Sequence, residues 1–176
     1  FGTDHIFSIL SIIIFYIIFL KYNEKIGIQN KNKLFLILLA FIIISLDLSE
    51  DIVRLITGYY SIKKDLPLQL CSIGIYVAAY TLLTMRQTAF ELIFYWGLVG
   101  ASQAILTPDG DLFEIKIFFF YSQAYHAALI FSVFWLMLKC QMRMQINAIP
   151  KMVIITNIVV ILISIINYIL DSNYVF

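Results

Sequence analysis

The sequence predicts an all-α protein, a polytopic bundle of six transmembrane helices that forms a single integral membrane domain over residues 1–176. Of its 176 residues, 62% are hydrophobic and only 13% are charged, and the mean hydropathy is +0.93. Soluble domains average roughly 45 to 50% apolar and about 25% charged residues. Six apolar stretches are each close to the roughly 20 residues that a helix needs to cross a hydrocarbon core of about 30 Å.

The predicted spans must be helical, because lipid offers backbone N–H and C=O groups no other partner. Pro67 and Pro150 lie at helix starts, where the missing N–H is tolerated. Pro108 follows the fourth span and helps to end it. The predicted spans are residues 5–22, 34–58, 67–85, 88–106, 117–138 and 149–170.

The second span has an unusual composition for a membrane helix. Its uncharged run, residues 34–46, would extend only about 20 Å. A charge at the bilayer centre costs about 2.5 to 3.5 kcal/mol on insertion scales, so the charged turns that follow should face the bundle interior or an aqueous cavity. A structural ion pair at the helix end is the alternative interpretation. Four charged residues share one helical face through i, i+3, i+4, i+7 spacing: Asp47, Glu50, Asp51 and Arg54.

The distribution of basic residues predicts the orientation of the bundle. Cytoplasmic loops of membrane proteins carry an excess of Lys and Arg. Loops on one side hold eight of the 12 basic residues and loops on the other side hold three. We therefore expect the first side to be cytoplasmic and the N-terminus to lie outside. High use of Ile, Asn, Lys, Phe and Tyr is typical of AT-rich bacterial genomes, which predicts a multi-pass protein of a bacterial cell membrane.

Polar residues of several spans fall in the outer layer of this topology. We expect them to line one polar pocket that is open to the outer leaflet. The inner halves are mostly apolar, and Glu91 is expected to reach the interface by snorkelling. The pocket residues that the sequence predicts are Glu50, Asp51, Arg54, Gln69, Gln103, Thr107, Asp109 and Gln123, together with Cys71 and His126.

Charge and cysteine content exclude several functions. A net charge of +1, from 12 basic and 11 acidic residues, provides no basic face for nucleic acid. Cys71 and Cys140 are too few for a disulfide framework or a thiolate metal site, and a bilayer thickness separates them. The sequence has no phosphate-binding loop and no His–Glu metal motif. We expect membrane lipids as partners, and no cofactor or metal.

Several motifs resemble those of one family. Residues 66–71, Leu-Pro-Leu-Gln-Leu-Cys, resemble the Leu-Pro-Leu-His-Leu-Cys signature of the YwaF-like bacterial integral membrane proteins. Residues 103–109, Gln-Ala-Ile-Leu-Thr-Pro-Asp, resemble that family's Gln-Ala-Leu-Leu-Thr-Pro-Asp segment. His126 matches its fifth-helix histidine, and Asn173-Tyr174 resembles its Asn-Tyr corner. Gln69 replaces the usual His. Family members carry a further helix after the corner, so the resemblance implies that a seventh, C-terminal span is missing here.

The resemblance also implies an activity. The YwaF-like family is similar to animal transmembrane acyltransferases that remodel ether phospholipids, in which a Cys and a later His are the proposed catalytic pair. Cys71 and His126 are the matching positions, which implies a membrane lipid acyltransferase or hydrolase.

In such chemistry the thiolate accepts an acyl group, and the imidazole takes the thiol proton. Arg54 would bind a lipid phosphate. The predicted helix ends place Cys71 about one turn and His126 about three turns below the surface, roughly 8 to 12 Å apart in depth. Three amides are available to stabilise the oxyanion: Gln69, Gln103 and Gln123.

Two other functions stay open from the sequence. Six-helix membrane proteins of this size also serve as substrate-binding subunits of small-molecule transporters. The Ala-x-x-x-Ala motif that such subunits often carry in their first helix is absent, since that helix contains no Ala. A non-catalytic membrane protein, in which the charged stripe only holds helices together, is the third possibility.

Overall fold

Six helices make up the described part of the chain, which in this computed structural model comprises residues 2–22, 32–108 and 116–174. No β-strand occurs within those ranges. We call the end of the bundle that contains the N-terminus of α1 the upper end, and the opposite end the lower end. The helices are α1 (Thr3–Tyr22), α2 (Lys33–Thr57), α3 (Leu70–Thr84), α4 (Gln87–Leu106), α5 (Lys116–Leu138) and α6 (Ala148–Leu170).

Three of these helices are long and apolar enough to cross a membrane, namely α4, α5 and α6. The described apolar parts of α1 (Thr3–Phe19) and α3 are shorter, and α2 carries its charged stripe. The all-helical membrane-type fold that the sequence predicts is therefore confirmed. The full set of six spans stays a prediction.

Local signals explain the ends of α2. The Asn32 side chain accepts a hydrogen bond from Phe35 N at 3.2 Å, which caps the first turn. Gly58 ends the helix in the left-handed region with φ +77°, a conformation that glycine adopts without strain. The charged stripe thus lies within the last turns of one continuous helix.

The helix α5 is the centre of the bundle and packs against α1, α2, α3 and α4. Its Leu129, Val133 and Leu136 are completely buried. The middle of α4, Phe94–Ala101, is a π-helix, and Gly97 in it lies so close to α5 that an added Cβ would be 3.3 Å from Val133 Cγ2. Segments of π-helix are frequently found at functional sites.

A polar contact at the lower end joins α6 to α4. Glu91 of α4 is completely buried and forms an ion pair with Lys151 of α6. Gln87 Nε2 donates hydrogen bonds to Glu91 Oε1 and to the Arg143 carbonyl, both at 2.8 Å. The prediction that Glu91 snorkels is therefore wrong, because Lys151 and Gln87 satisfy the carboxylate where it lies.

The Glu91 pair gives a test of the packing of α6. We expect Lys151→Met to destabilise the protein by about 3 kcal/mol, because it leaves a buried carboxylate without its cation. The double variant Lys151→Met/Glu91→Gln should regain most of that loss. Thermal unfolding in detergent measures both variants, and a single variant as stable as the parent would contradict the expectation.

Candidate functional site

A buried ion-pair network lies at the upper end of α2. Arg54 is buried, and its Nε donates to Glu50 Oε1 at 3.1 Å, one turn earlier on the same helix. Its Nη1 lies 3.6 Å from Asp65 Oδ1, in the segment between α2 and α3. The guanidinium also lies over the Phe118 ring of α5, with Cζ 4.0 Å from the ring centroid, in a cation–π contact. One cation therefore links α2, the segment before α3, and α5.

This network contains more negative than positive charge. Asp51 lies within electrostatic range of Asp65 and Arg54, and Asp47 interacts with the Tyr76 hydroxyl of α3. Asp47 is buried, and its Oδ2 has no hydrogen-bond partner in the part of the chain that the structure describes. Because Glu50 and Asp65 already contact Arg54, this geometry does not favour a lipid phosphate at its guanidinium.

Cys71 lies beside this network, in the first turn of α3, and is half-buried. Its Sγ packs against Gly100 in the π-helical part of α4, where an added Cβ would be 3.5 Å from the sulfur. The Tyr125 side chain of α5 lies within electrostatic range of both Cys71 and Glu50. The thiol thus sits where α3, α4 and α5 meet.

The ring of His126 has a defined protonation pattern. His126 is buried on α5, and its Nδ1 lies 2.8 Å from the Ser122 carbonyl oxygen. A carbonyl oxygen only accepts hydrogen bonds, so Nδ1 carries a proton, and in the neutral ring Nε2 therefore keeps its lone pair. Ser122 Oγ lies 3.3 Å from the same nitrogen and also interacts with the Tyr125 hydroxyl. Polar side chains therefore extend from the acidic network to the imidazole.

Cys71 and His126 lie in the same layer of the bundle. Gly74 of α3 packs against α5, where an added Cβ would be 3.6 Å from Leu129 Cδ2. Cys71 lies three residues, or about one turn, above Gly74 on α3. His126 lies three residues above Leu129 on α5, so the two candidates are at the same height in the bundle. The predicted difference in depth is wrong, because residues 58–69 occupy the upper end and α3 begins only at Leu70. No hydrogen bond joins thiol and ring among the contacts of the described residues.

Three predicted pocket residues lie at the rim of the upper end. Gln69, Gln103 and Thr107 are exposed. Thr107 Oγ1 donates to the Gln103 carbonyl oxygen at 3.0 Å, a local contact within one helical turn. These three side chains are not brought into the layer of the thiol and the imidazole. Asp109 lies outside the described residues.

Gln123 occupies a third place, at the contact between α1 and α5. Only 2% of it is exposed, and Ser8 Oγ of α1 donates to its Oε1 at 3.5 Å. His5 of α1 contacts α4 nearby, with its Nε2 2.7 Å from the Ile105 carbonyl oxygen. The residues predicted to line one pocket therefore lie in three places. These are the polar layer that contains Arg54, Cys71 and His126, the contact between α1 and α5, and the exposed rim of the upper end.

Sequence reasoning missed four residues of the polar layer. Asp65 lies in a connecting segment, where spacing along the chain gives no information about partners. Ser122 lies four residues before His126, so helical spacing alone was sufficient to detect it. Tyr76 and Tyr125 could not be singled out from the sequence, because a membrane protein contains many aromatic residues. No group of three or more metal-binding side chains occurs within residues 2–22, 32–108 and 116–174.

Sequence comparison identifies the family of this chain. The sequence model of the TMEM164 family matches residues 1–176. The chain belongs to the TMEM164 family. No curated protein and no solved structure matches it. The match confirms a membrane-protein family and does not show the YwaF-like assignment.

In this TMEM164-family chain, the segment 58–69 is fastened to the end of α6. Tyr174 is completely buried, and its hydroxyl donates to the Ile62 carbonyl at 2.5 Å and accepts from Leu66 N at 3.1 Å. The Asn167 side chain bonds to the backbone N and O of Tyr174 at 2.9 and 2.8 Å. Burial raises the pKa of the Tyr174 phenol, which keeps it protonated as a donor. These bonds fix the segment immediately before α3.

The Tyr174 contact predicts how easily Cys71 is reached. Tyr174→Phe removes both hydrogen bonds of the hydroxyl, the one donated to the Ile62 carbonyl and the one accepted from Leu66 N, a loss of about 1 to 3 kcal/mol. We expect the loosened segment to expose the first turn of α3, so that maleimide alkylates Cys71 several-fold faster in a Cys140→Ser background. Tyr168→Phe is the matched control, since Tyr168 lies on α6 and is 90% exposed. Equal alkylation rates in both variants would contradict this role.

Proposed function

We propose that this TMEM164-family protein is a membrane lipid acyltransferase or hydrolase with Cys71 as nucleophile and His126 as base. The observation that carries the proposal is the His126 ring, whose Nδ1–H is bound to Ser122 O and whose Nε2 keeps its lone pair in the layer of the Cys71 thiol. A base oriented by a second hydrogen bond next to a nucleophile is the general arrangement of covalent catalysis.

The reaction proceeds in two steps that balance. The Cys71 thiol attacks the carbonyl carbon of an acyl ester, and its proton passes to His126 Nε2. The ester C–O bond breaks, the leaving alcohol takes that proton, and a thioester remains on Cys71. A lysolipid hydroxyl, or water in the hydrolase, then attacks the thioester while His126 accepts its proton, and the thiol is restored.

The polar residues around the pair have separate proposed roles. Tyr125 and Ser122 connect the imidazole to the acidic network and hold the ring in its tautomer. Among the three amides that the sequence offers for the oxyanion, Gln123 is buried, whereas Gln69 and Gln103 are exposed. Gln123 lies in the α1–α5 contact rather than in the layer of the thiol, so we assign none of the three amides to the oxyanion.

The topology completes the proposal. We place all six helices across a bacterial cell membrane with the N-terminus outside, on the basis of the eight-to-three distribution of basic loop residues. The motifs at residues 66–71 and 103–109 support a YwaF-like branch of the TMEM164 family. Lipids of the membrane are then both acyl donor and acceptor.

Point variants test the catalytic pair. We expect Cys71→Ala and His126→Gln each to lower acyl transfer between phospholipids in reconstituted vesicles by about 10²-fold or more, since each removes one reacting group. Cys140→Ala is the matched control, because Cys140 is buried at the opposite end of the bundle. Mass spectrometry of acyl-chain exchange measures the rate.

Two outcomes would contradict the enzyme. Unchanged exchange in both folded variants would leave only a non-catalytic role for the pair. Accumulation of a radiolabelled solute by cells, abolished by the same variants without any change in lipids, would support the transport subunit instead.

A further inference from the structure

A cavity of about 490 Å³ lies between α1, α2 and α5. This volume falls within the roughly 300 to 1,000 Å³ of small-molecule binding sites. Leu38 and Ile42 belong to its wall and are 49% and 50% exposed, so the cavity is accessible from the side of the bundle. The wall is almost wholly apolar and includes Phe15, Phe19, Leu39, Leu46, Ala127 and Phe131.

The polar atoms of the wall are already satisfied. Ser11 Oγ donates to the Phe7 carbonyl at 2.8 Å, and the Tyr16 hydroxyl donates to the Ala127 carbonyl. A polar ligand would lose its hydrogen bonds to water in this cavity and gain none in return, whereas hydrocarbon loses nothing. The wall therefore selects an apolar chain.

The length of the cavity matches one acyl chain. On α2 the lining residues extend from Phe35 to Leu46, which is 11 residues or roughly 16 Å of helix. One leaflet contributes about half of a hydrocarbon core of about 30 Å. A lipid acyl chain has the length and the chemistry of this space.

The upper end of the cavity adjoins the polar layer. On α2 the lining residue Leu46 directly precedes Asp47, and on α5 the lining residue Ala124 directly precedes Tyr125. Asp47 and Tyr125 belong to the polar layer, and Tyr125 lies within electrostatic range of Cys71. The ester group of a lipid whose chain fills the cavity would therefore lie at the polar layer.

We propose that this cavity binds one acyl chain of a membrane phospholipid, with the ester group at the polar layer next to Leu46 and Ala124. The chain descends from the layer of His126 towards Phe19 and Phe35 at the lower end. The inference rests on the proposed function in one respect, since the bound lipid is the substrate whose acyl group the enzyme transfers.

Photolabelling tests the site without requiring catalysis. The full chain carrying Cys71→Ala is placed in phosphatidylcholine nanodiscs with a trace of phosphatidylcholine that has a diazirine at the end of one acyl chain. We expect labels on the cavity walls near Phe19, Phe35 and Phe131, in excess over the lipid-facing surface of α6. Ala124→Phe fills the cavity and should reduce these labels about tenfold.

Matched variants separate the cavity from general lipid contact. Val99→Phe adds the same ring at an exposed position of α4 and should leave the labels unchanged. Labels no stronger than those on α6, or insensitive to Ala124→Phe, would overturn the proposal. Preferential labelling by a free fatty acid carrying the same diazirine would also overturn it.

The two proposals fail separately. Cavity labelling that persists while the parent chain shows no acyl exchange refutes the enzyme and supports the lipid site. Acyl exchange that persists in Ala124→Phe with unchanged rate and chain-length preference refutes the site and leaves the enzyme intact.

Discussion

The arrangement of the upper half of this protein depends on one buried cation. The Arg54 guanidinium contacts Glu50 on its own helix, Asp65 in the segment before α3, and the Phe118 ring of α5. In a low-dielectric environment, a charge must be paired and hydrogen bonded to remain. The need to pair this buried charge therefore fixes three parts of the chain relative to one another.

That constraint determines where the candidate nucleophile lies. Because Asp65 and the Tyr174 contact hold residues 58–69 at the upper end, α3 begins deeper than its apolar stretch suggests. The first turn of α3 then meets the π-helical part of α4 and the middle of α5, and Cys71 lies against Gly100. An ion pair and a tyrosine contact thus bring a thiol and an imidazole into one layer.

Two environments adjoin on opposite sides of α5. The polar layer on the α2, α3 and α4 side contains acidic groups, hydroxyls, the thiol and the imidazole, whereas the cavity on the α1 side is lined almost entirely by hydrocarbon. The two environments meet at the upper end of the cavity, where the lining residues Leu46 and Ala124 directly precede Asp47 and Tyr125. The proposed lipid chemistry would use both environments, one for the ester and one for the acyl chain.

The sequence by itself determined the membrane class, the bounds of most helices and the shared face of the α2 charges, because hydropathy and helical periodicity are local properties. Helical spacing was also sufficient to predict the contact between Ser122 and His126, which lie four residues apart on α5. The partners of Arg54, the burial of Glu91 and the common depth of Cys71 and His126 were decided only by tertiary structure, since each depends on which segments pack together. The apolar cavity belongs to the same group, because its walls come from three helices whose apolar faces look alike in sequence.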